Sequence, residues 1–280
     1  MIKLVAIDLD GTLLNRNHKV SELNKKAIKK ALGKNLKIVL CSGRTVQNVL
    51  SFAKELEIIG KEEYVVGFNG AGALRLDDEE FIFKESLSGK DAKFIAKICD
   101  EVDANYTVHT FYESLTPREN PYSTYESALN EVELFLKHPR ELVDDDEVTK
   151  VLILDDPEII NEYEAHIREH LSHMYDLIRT MPFYLEVLKK GINKYSGIMA
   201  VADLLQIKKD EIMALGDAPN DLEIVRDVGI GIAMGNAEEI VKAHADFITK
   251  SNEEHGVAYA MNHFLGLGLD EYFEEVKSIE

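Results

Sequence analysis

The chain has 280 residues, 45% of them hydrophobic, which suits one large domain or two ordinary domains with a substantial core and excludes a disordered protein. It carries 51 acidic and 32 basic side chains, and the net charge of −19 repels nucleic-acid backbones and anionic membranes, so we expect neither as a partner. Its two cysteines, Cys41 and Cys99, stand in no CxxC or metal-ligand spacing, which excludes a disulfide framework.

Short apolar runs alternate with amphipathic stretches in the N-terminal part of the chain. The first run, residues 2–7, is too short for a signal sequence or a membrane span, so we expect a soluble cytoplasmic protein. The periodicity predicts helices after Ser21 and at residues 46–56, and strands at residues 4–7, 37–40 and 64–67. Gly33 is placed to end the first helix, and Asn69-Gly70 marks a turn after the third strand.

The middle of the chain has a different pattern, in which strands follow one another. It predicts helices at residues 88–102, near 125–137 and at 157–171, and strands at residues 106–112, 148–154, 175–181 and 183–188. Consecutive strands mixed with helices favour an antiparallel α+β domain at residues 82–188, inserted into a discontinuous domain formed by residues 1–81 and 189–280.

The alternation of strands and helices returns towards the C-terminus. It predicts helices at residues 198–205, at 222–228 and around Ile240, and strands at residues 212–215, 230–234 and 247–248. Because these strands are apolar throughout and separated by helices, they indicate a parallel sheet that is covered on both faces. The predicted fold class is therefore α/β, a doubly wound parallel core of the Rossmann-like kind with an inserted α+β domain.

The first predicted strand is followed directly by the segment DLDGT, residues 8–12, at the strand end where open α/β sheets bind ligands. Its two carboxylates, Asp8 and Asp10, repel each other unless a cation lies between them. Magnesium suits them because it binds a few carboxylates together with water and phosphate oxygens. Aspartates that merely close a turn explain this segment equally well.

Two further segments carry groups that bind anions. The segment SGR, residues 42–44, lies at the start of a predicted helix, where a hydroxyl, backbone N–H groups and the helix dipole favour an anion. Lys194 stands just before another helix, where a positive charge is mildly unfavourable unless it neutralises a ligand such as phosphate. A serine N-cap and a solvated lysine are the simpler alternatives for these two segments.

The predicted strand at residues 212–215 is followed by the segment GDAPND, residues 216–221. A turn that caps the next helix explains either Asn220 or Asp221. It does not explain Asp217, whose charge adds to an already negative strand edge, whereas a bound metal does.

In this order and at these strand ends, the four segments resemble the haloacid dehalogenase (HAD) superfamily of phosphohydrolases, most closely its Cof-type members, which carry a large α/β cap of the C2B type between the second and third motifs. The resemblance covers the whole chain, and DxDGT joined to GDxxND in register is far more specific than either part. Three details differ from the commonest pattern: Ser42 replaces a frequent Thr, Ala218-Pro219 replaces a loop that often begins with Gly, and Tyr195 replaces a usual Gly. None of these differences removes a functional group.

The resemblance implies a magnesium-dependent phosphatase that hydrolyses small phosphate monoesters, such as sugar phosphates or similar metabolites, through an aspartyl-phosphate on Asp8. It implies Asp8 as the nucleophile and Asp10 as the general acid and then the base. The implied magnesium ligands are Asp8, Asp10 through its main-chain carbonyl, Asp217 and, as a supporting group, Asp221. The implied phosphate-binding residues are Leu9, Ser42, Gly43, Lys194 and Asn220.

By the same resemblance, the inserted domain would be a cap that closes over the phosphate and selects the substrate. We expect substrate contacts from among Tyr112, Arg118, Tyr122, Tyr125, Glu186, His109 and His173, although ordinary packing is the commoner role for each. The expected partner is a small phosphorylated metabolite, bound by a monomer or a small homo-oligomer.

Other functions use similar residues. A phosphotransferase or phosphomutase shares this kind of core, and free phosphate released over many turnovers separates hydrolysis from transfer. A phospho-acceptor signalling domain also combines an acidic pair, a hydroxyl and a lysine, but it is much shorter and needs no inserted domain. A catalytically inactive binding module does not explain the full set of charged residues.

Overall fold

The structure, a computed structural model, describes residues 1–130 and 132–274. The chain divides into two compact units, one formed by residues 1–83 together with residues from 193 onwards, and the other by residues 84–192. The first unit is therefore discontinuous, since the whole of the second unit separates its two parts in sequence. The role of the second unit as a cap stays a prediction.

The strands, numbered in chain order, are β1 (Leu4–Asp8), β2 (Lys37–Cys41), β3 (Tyr64–Gly67), β4 (Gly72–Arg75), β5 (Phe81–Lys84), β6 (Leu87–Ser88), β7 (Tyr106–Thr110), β8 (Ser114–Thr116), β9 (Leu134–Leu136), β10 (Glu147–Leu154), β11 (Tyr175–Met181), β12 (Tyr184–Lys189), β13 (Ile212–Gly216), β14 (Ile230–Ala233) and β15 (Phe247–Ile248). The helices are α1 (Glu22–Leu32), α2 (Val46–Glu55), α3 (Gly89–Glu101), α4 (Pro121–Asn130), α5 (Pro157–Leu171), α6 (Lys194–Leu204), α7 (Leu222–Asp227), α8 (Glu239–Lys242), α9 (Gly256–Leu265) and α10 (Glu271–Glu274). Within the described residues, none of the helices combines the length and the apolar character that a membrane crossing requires.

The first unit is built on a sheet of eight strands in the order β15-β14-β13-β1-β2-β3-β4-β5. Strand β1 pairs in parallel with β13 and β2, and parallel pairing continues to β14 and β15 on one side and to β3 on the other. Residues 4–7 of β1 are all fully buried, and since successive side chains point to opposite faces, both faces of the sheet are covered. The predicted α/β fold with a parallel core is confirmed.

The register of the central strands brings their carboxyl ends to one edge of the sheet. Ile7 of β1 lies opposite Leu215 of β13, and Asp8 lies opposite Cys41 of β2. Whatever follows β1, β2 and β13 in the sequence therefore starts from neighbouring positions at this edge.

The second unit has its own sheet, in the order β11-β12-β10-β7-β8-β9, with β6 paired to β10. Its strand pairs are antiparallel, except that β8 and β9 are parallel. Helices α3 and α5 pack on this sheet in a buried apolar core that includes Ile95 and Ile167 from the helices and Val151 and Val187 from the strands. The unit is thus an antiparallel α+β structure.

The predicted helix near residues 125–137 is wrong in its extent. Helix α4 begins at Pro121, where the missing N–H does no harm, and ends at Asn130, after which the chain forms β9; residue 131 lies outside the described residues. The apolar residues after Asn130 are compatible with a helix or a strand. They form a strand because they pair in parallel with β8. The predicted strand at residues 106–112 is also too long, because β7 ends at Thr110 and the chain turns into β8.

Candidate active site

Three carboxylates of the first unit meet at the carboxyl edge of its sheet. Asp8 is the last residue of β1, and Asp217 and Asp221 follow β13, so neighbouring parallel strands deliver them to one place. One carboxylate oxygen from each residue lies within 4.8 Å of the other two. Asp8 and Asp221 are buried and Asp217 is partly exposed.

Lys194 lies between two of these carboxylates. Its Nζ donates to Oδ1 of Asp8 and to Oδ1 of Asp221, at 2.6 Å in each case, and its side chain is 2% exposed. It is the first residue of α6, whose N-cap is Asn193, the side chain of which accepts a hydrogen bond from the backbone N–H of Ser196. The simpler alternative of a solvated lysine is therefore wrong.

Asp221 is held by the loop that it ends. Its Oδ2 accepts hydrogen bonds from the backbone N–H groups of Asp217 and Ala218, at 3.1 Å each, while its Oδ1 accepts from Lys194. Gly216 allows the loop to fold this tightly, because a Cβ there would lie 2.4 Å from Cβ of Asp221. Asp221 thus stabilises the loop that presents Asp217.

Asp217 lies directly against the first motif. Thr12 Oγ1 donates to Oδ1 of Asp217 at 2.8 Å. Gly11 has a φ of +78°, and a Cβ there would lie 2.2 Å from Oδ2 of Asp217, so glycine is needed both for the turn and for the close approach. The first and fourth motifs are therefore in contact, although about two hundred residues separate them in the chain.

The ionisation of this group reflects an excess of negative charge. Burial, together with the charge of Asp221, raises the pKa of Asp8 well above its usual value. Burial and Asp221 likewise raise the pKa of Asp217 to about 7. Burial alone would lower the pKa of Lys194, but the charges of Asp221 and Asp8 outweigh it, and the pKa of Lys194 is raised. One lysine does not balance three carboxylates.

These carboxylates fit a divalent cation. They offer oxygen ligands, which Mg²⁺ prefers, and the raised pKa values of Asp8 and Asp217 indicate that added positive charge would be stabilised among them. Both oxygens of Asp221 already accept hydrogen bonds within the protein. Asp8 and Asp217 are therefore better placed than Asp221 to contact an ion directly.

The carboxylate of Asp10 is not part of this group, because it is paired with Arg44. Arg44 Nε donates to Oδ2 of Asp10 and Arg44 Nη2 donates to Oδ1, both at 2.7 Å, an arrangement that fixes a carboxylate firmly. Arg44 Nη1 donates to Oδ1 of Asn48 at 2.8 Å. The metal contact expected from Asp10 through its main-chain carbonyl stays a prediction.

Ser42 follows directly after β2 and is buried. Its Oγ accepts a hydrogen bond from the backbone N–H of Arg44 at 3.2 Å. The N-cap of α2 is Thr45, whose Oγ1 accepts from the backbone N–H of Asn48 at 3.2 Å, so the alternative that Ser42 caps the helix is wrong. Leu9 is fully buried, and the phosphate contact expected from it stays a prediction.

Asn69 links the second and fourth motifs. Asn220 Nδ2 donates to Oδ1 of Asn69 at 2.9 Å, and a Cβ on Gly43 would lie 3.1 Å from the same oxygen, so the Asn69 amide packs against Gly43. The sequence indicates Asn69 only as a turn residue before Gly70. Arg44 belongs to the second motif, but nothing in the sequence indicates the partner of its side chain.

Some of the substrate contacts expected from the second unit have partners inside that unit. The pairs are Arg118 Nη1 to Asp103 Oδ1 at 2.7 Å, Tyr122 Oη to Asp156 Oδ1 at 2.5 Å, and Lys150 Nζ to Glu186 Oε1 at 3.0 Å. Tyr112 and Tyr125 are exposed. His109 is buried, its Nδ1 lies 2.8 Å from Oγ of Ser114, and burial lowers its pKa. Contacts of these residues with a substrate stay predictions.

Known proteins match this chain over most of its length. Residues 5–261 match the family model of the haloacid dehalogenase-like hydrolases. The Bacillus subtilis protein named "Putative phosphatase YxeH" is 35% identical over 266 residues, which are 94% of this chain and 98% of that protein. The 5-amino-6-(5-phospho-D-ribitylamino)uracil phosphatase YcsE of Bacillus subtilis is 30% identical over 274 residues, which cover 94% of this chain and 96% of that enzyme.

A solved structure supports the same assignment. The HAD subclass IIB sugar phosphatase BT4131 is 27% identical and aligns with a TM-score of 0.78 over 95% of this chain and 99% of that one. At 95% of this chain, the alignment extends over residues of both units. The chain therefore belongs to the haloacid dehalogenase-like hydrolases and is one of the phosphatases of that superfamily.

Proposed function

We propose that this phosphatase depends on magnesium and hydrolyses small phosphate monoesters, such as sugar phosphates or similar metabolites, through an aspartyl-phosphate on Asp8. The observation that carries the proposal is the convergence of Asp8, Asp217 and Asp221 around Lys194 at one edge of the sheet. A sugar phosphatase and a phosphatase of a phosphoribitylamino-uracil are among the similar proteins, which supports a small substrate phosphorylated on a sugar or sugar alcohol.

In this proposal, Asp8, Asp217 and the main-chain carbonyl of Asp10 would hold the magnesium ion. Asp221 would support them, because its carboxylate accepts hydrogen bonds from the loop that carries Asp217. When bound, the ion would offset negative charge on the phosphoryl oxygens and on the nucleophile. Its removal is therefore expected to stop turnover.

Asp8 would attack the phosphorus atom with a carboxylate oxygen, forming an acyl phosphate as the ester P–O bond breaks. Lys194, Ser42, the backbone N–H of Gly43 and Asn220 would bind the non-bridging oxygens and stabilise the charge on them. Because Lys194 is buried, solvent screens its charge little, and its effect on a nearby phosphoryl group is correspondingly large.

For the departure of the alcohol, one Asp10 oxygen would carry a proton in place of its hydrogen bond from Arg44, and Asp10 would donate that proton to the ester oxygen. Its carboxylate would then accept a proton from water while the water oxygen attacks phosphorus. This second step breaks the bond between Asp8 and phosphorus, releases inorganic phosphate, and restores the free Asp8 carboxylate and the protonated Asp10. The side chain of Asp10 is 44% exposed, so a leaving group and water have access to it.

The variant Asp8→Asn tests the nucleophile. We expect it to reduce release of inorganic phosphate from sugar phosphates by about 10⁴-fold or more, because an amide does not form the covalent intermediate. Circular dichroism and thermal melting should show an intact fold. Asp203→Asn is the matched control, since it removes the same charge from an exposed position on α6 and should leave turnover unchanged. Substantial hydrolysis by Asp8→Asn would contradict the assignment.

The intermediate and the metal have tests of their own. Acid quenching during turnover, followed by mass spectrometry, should find one phosphoryl group on the peptide that contains Asp8, and none in Asp8→Asn. EDTA should stop phosphate release and added Mg²⁺ should restore it. If the phosphoryl group appears on an added sugar instead of as inorganic phosphate, the phosphotransferase alternative is correct.

A further inference from the structure

The turn after β3 has an unusual backbone conformation in a buried position. Phe68, Asn69 and Gly70 have positive φ angles of 54°, 53° and 94°. Glycine adopts such angles readily and asparagine tolerates them, but they are strained for phenylalanine. Phe68 and Asn69 are only 2% and 3% exposed. Strain of this kind persists where the surrounding structure holds it, and such places are often functional.

The backbone of this turn is bonded to the second motif. The N–H of Phe68 donates to the carbonyl of Arg44 at 2.8 Å, and the N–H of Asn69 donates to the carbonyl of Ser42 at 3.0 Å. Ser42 and Arg44 are the two neighbours of Gly43. The turn therefore fixes the backbone on both sides of a glycine that is expected to bind phosphate.

The same turn contacts the third motif. A Cβ on Gly70 would lie 1.9 Å from the carbonyl oxygen of Asn193 and 2.9 Å from the backbone nitrogen of Lys194. A Cβ on Gly197, one turn further along α6, would lie 2.9 Å from Cα of Gly70. The turn is thus packed between α6 and the second motif, and this packing fixes the position of Asn69.

From that place the side chain of Asn69 reaches the fourth motif. Its Oδ1 accepts a hydrogen bond from Nδ2 of Asn220 at 2.9 Å, and its amide lies against Gly43. Asn69 therefore stands between two groups that are expected to bind phosphate.

We propose that Asn69 is a positioning residue that orients the amide of Asn220 for phosphate binding. The amide group of Asn220 has a donating and an accepting side, and an inverted amide would present its oxygen to an anion. With Oδ1 of Asn69 facing it, the amide of Asn220 keeps the orientation in which one N–H binds Asn69 and the other remains for the phosphate. The inference rests on the proposed function, because it concerns how that site holds its anion.

The variant Asn69→Gly tests the inference, since glycine keeps the positive φ and removes only the amide. In the presence of Mg²⁺, we expect the Kd for inorganic phosphate, measured by titration calorimetry, to rise about tenfold in Asn69→Gly and at least as much in Asn220→Ala. The double variant should bind phosphate within about threefold of Asn220→Ala alone, because Asn69 acts through Asn220. The melting temperature of Asn69→Gly should stay near that of the wild type.

Asn35→Gly is the matched control, because Asn35 also has a positive φ, of 60°, but lies in an exposed turn before β2. It should bind phosphate as the wild type does. Unchanged phosphate binding in Asn69→Gly, or losses that add fully in the double variant, would overturn the inference and reduce Asn69 to a turn residue.

The proposed function is tested separately, by turnover of the wild type. A wild-type protein that binds inorganic phosphate but releases none from phosphate esters would overturn the proposed function, and the measurements on Asn69 would still decide the inference. A wild-type protein that releases phosphate from esters but binds no inorganic phosphate in the calorimeter would overturn the inference and leave the proposed function standing.

Discussion

Arg44 holds the carboxylate of Asp10 through two parallel hydrogen bonds, and Asn48 holds a third nitrogen of the same guanidinium. A planar guanidinium matches a carboxylate in this way, whereas the ammonium of lysine is a single point charge. The side chain of Arg44 is also largely buried, although that of Asp10 is not. We therefore expect Arg44 to decide where the Asp10 carboxyl stands when a leaving group arrives.

Arg44→Lys should lower kcat about tenfold and change KM by less than about threefold. Lysine keeps the positive charge but does not hold the Asp10 carboxyl in the same geometry, so proton transfer slows. No contact to the phosphate is removed, so substrate binding changes little. Steady-state kinetics on a sugar phosphate measures both constants. The control is Arg226→Lys, since Arg226 makes the same kind of two-bond pair with Asp227 on the surface, and this variant should behave as the wild type. An unchanged kcat in Arg44→Lys would show that the pair is not needed.

At this scale, the sequence was informative where a residue directly follows a strand. The predicted strand ends explain why Asp8, Asp217 and Asp221 lie together, although their roles stay predictions. Arg44 and Asn69 could not be found in the same way, because their partners lie 34 and 151 positions away in the chain. Local sequence does not name a partner that only the tertiary fold brings close.

Helix α6 begins with a residue that is unfavourable for its own start. A lysine in the first turn faces the positive end of the helix dipole, which costs about 0.3–1 kcal/mol. Asn193 and Ser196 offset this cost, because each side chain accepts a hydrogen bond from the backbone N–H of the other. The cap thus fixes the helix start from which Lys194 reaches Asp8.

Asn193→Ala should lower the free energy of unfolding by about 1 kcal/mol, because it removes the cap, and should also lower kcat, because it loosens the start of the helix that carries Lys194. Urea unfolding and steady-state kinetics measure the two effects. Ser21→Ala removes the corresponding cap of α1 and should cost a similar free energy without lowering kcat. Asn193→Ser should restore both properties. Equal activity in Asn193→Ala and Ser21→Ala would contradict the role assigned to this cap.

Elements with long and regular patterns were predictable, as were the short apolar strands β3 and β15, but the short strands β4 and β8 were not. Helices α3 and α5 show a clear apolar face, and that face is what they bury on the sheet of the second unit. Strands β4 and β8 span four and three residues, too few for a period to be recognised. Their existence depends on pairing with β3 and β7, which is a property of the folded unit.

The whole molecule carries a net charge of −19, and part of this charge is a buried group of three carboxylates with one lysine in the first unit. In the metal-free protein, the raised pKa of Asp217, about 7, means that the folded state keeps a proton that the unfolded chain loses near pH 4. Because the folded state binds more protons in this range, the free energy of unfolding falls as the pH rises through it.

In EDTA, the free energy of unfolding should therefore fall by about 1–2 kcal/mol between about pH 6 and pH 8. Asp217→Asn should lack this decrease in the free energy of unfolding, so the difference between the two proteins gives the contribution of the Asp217 carboxyl. Mg²⁺ should stabilise the wild type more at the higher pH, because it binds the ionised carboxylates. Urea unfolding at both pH values, with EDTA or Mg²⁺, provides the measurement. Identical pH dependence in the wild type and Asp217→Asn would contradict the raised pKa assigned to Asp217.

The centre of the first unit is assembled from the two ends of the chain. Leu4 of β1 pairs with Ile212 of β13, so until the ribosome has delivered the later segment, one side of the nascent β1 has no neighbour. Such an open side invites pairing with other chains. The site around Asp8 is likewise incomplete until Asp217 and Asp221 have been synthesised. Prematurely terminated chains should thus be catalytically inactive and prone to aggregate. The nascent chain should need chaperones most while this sheet is incomplete.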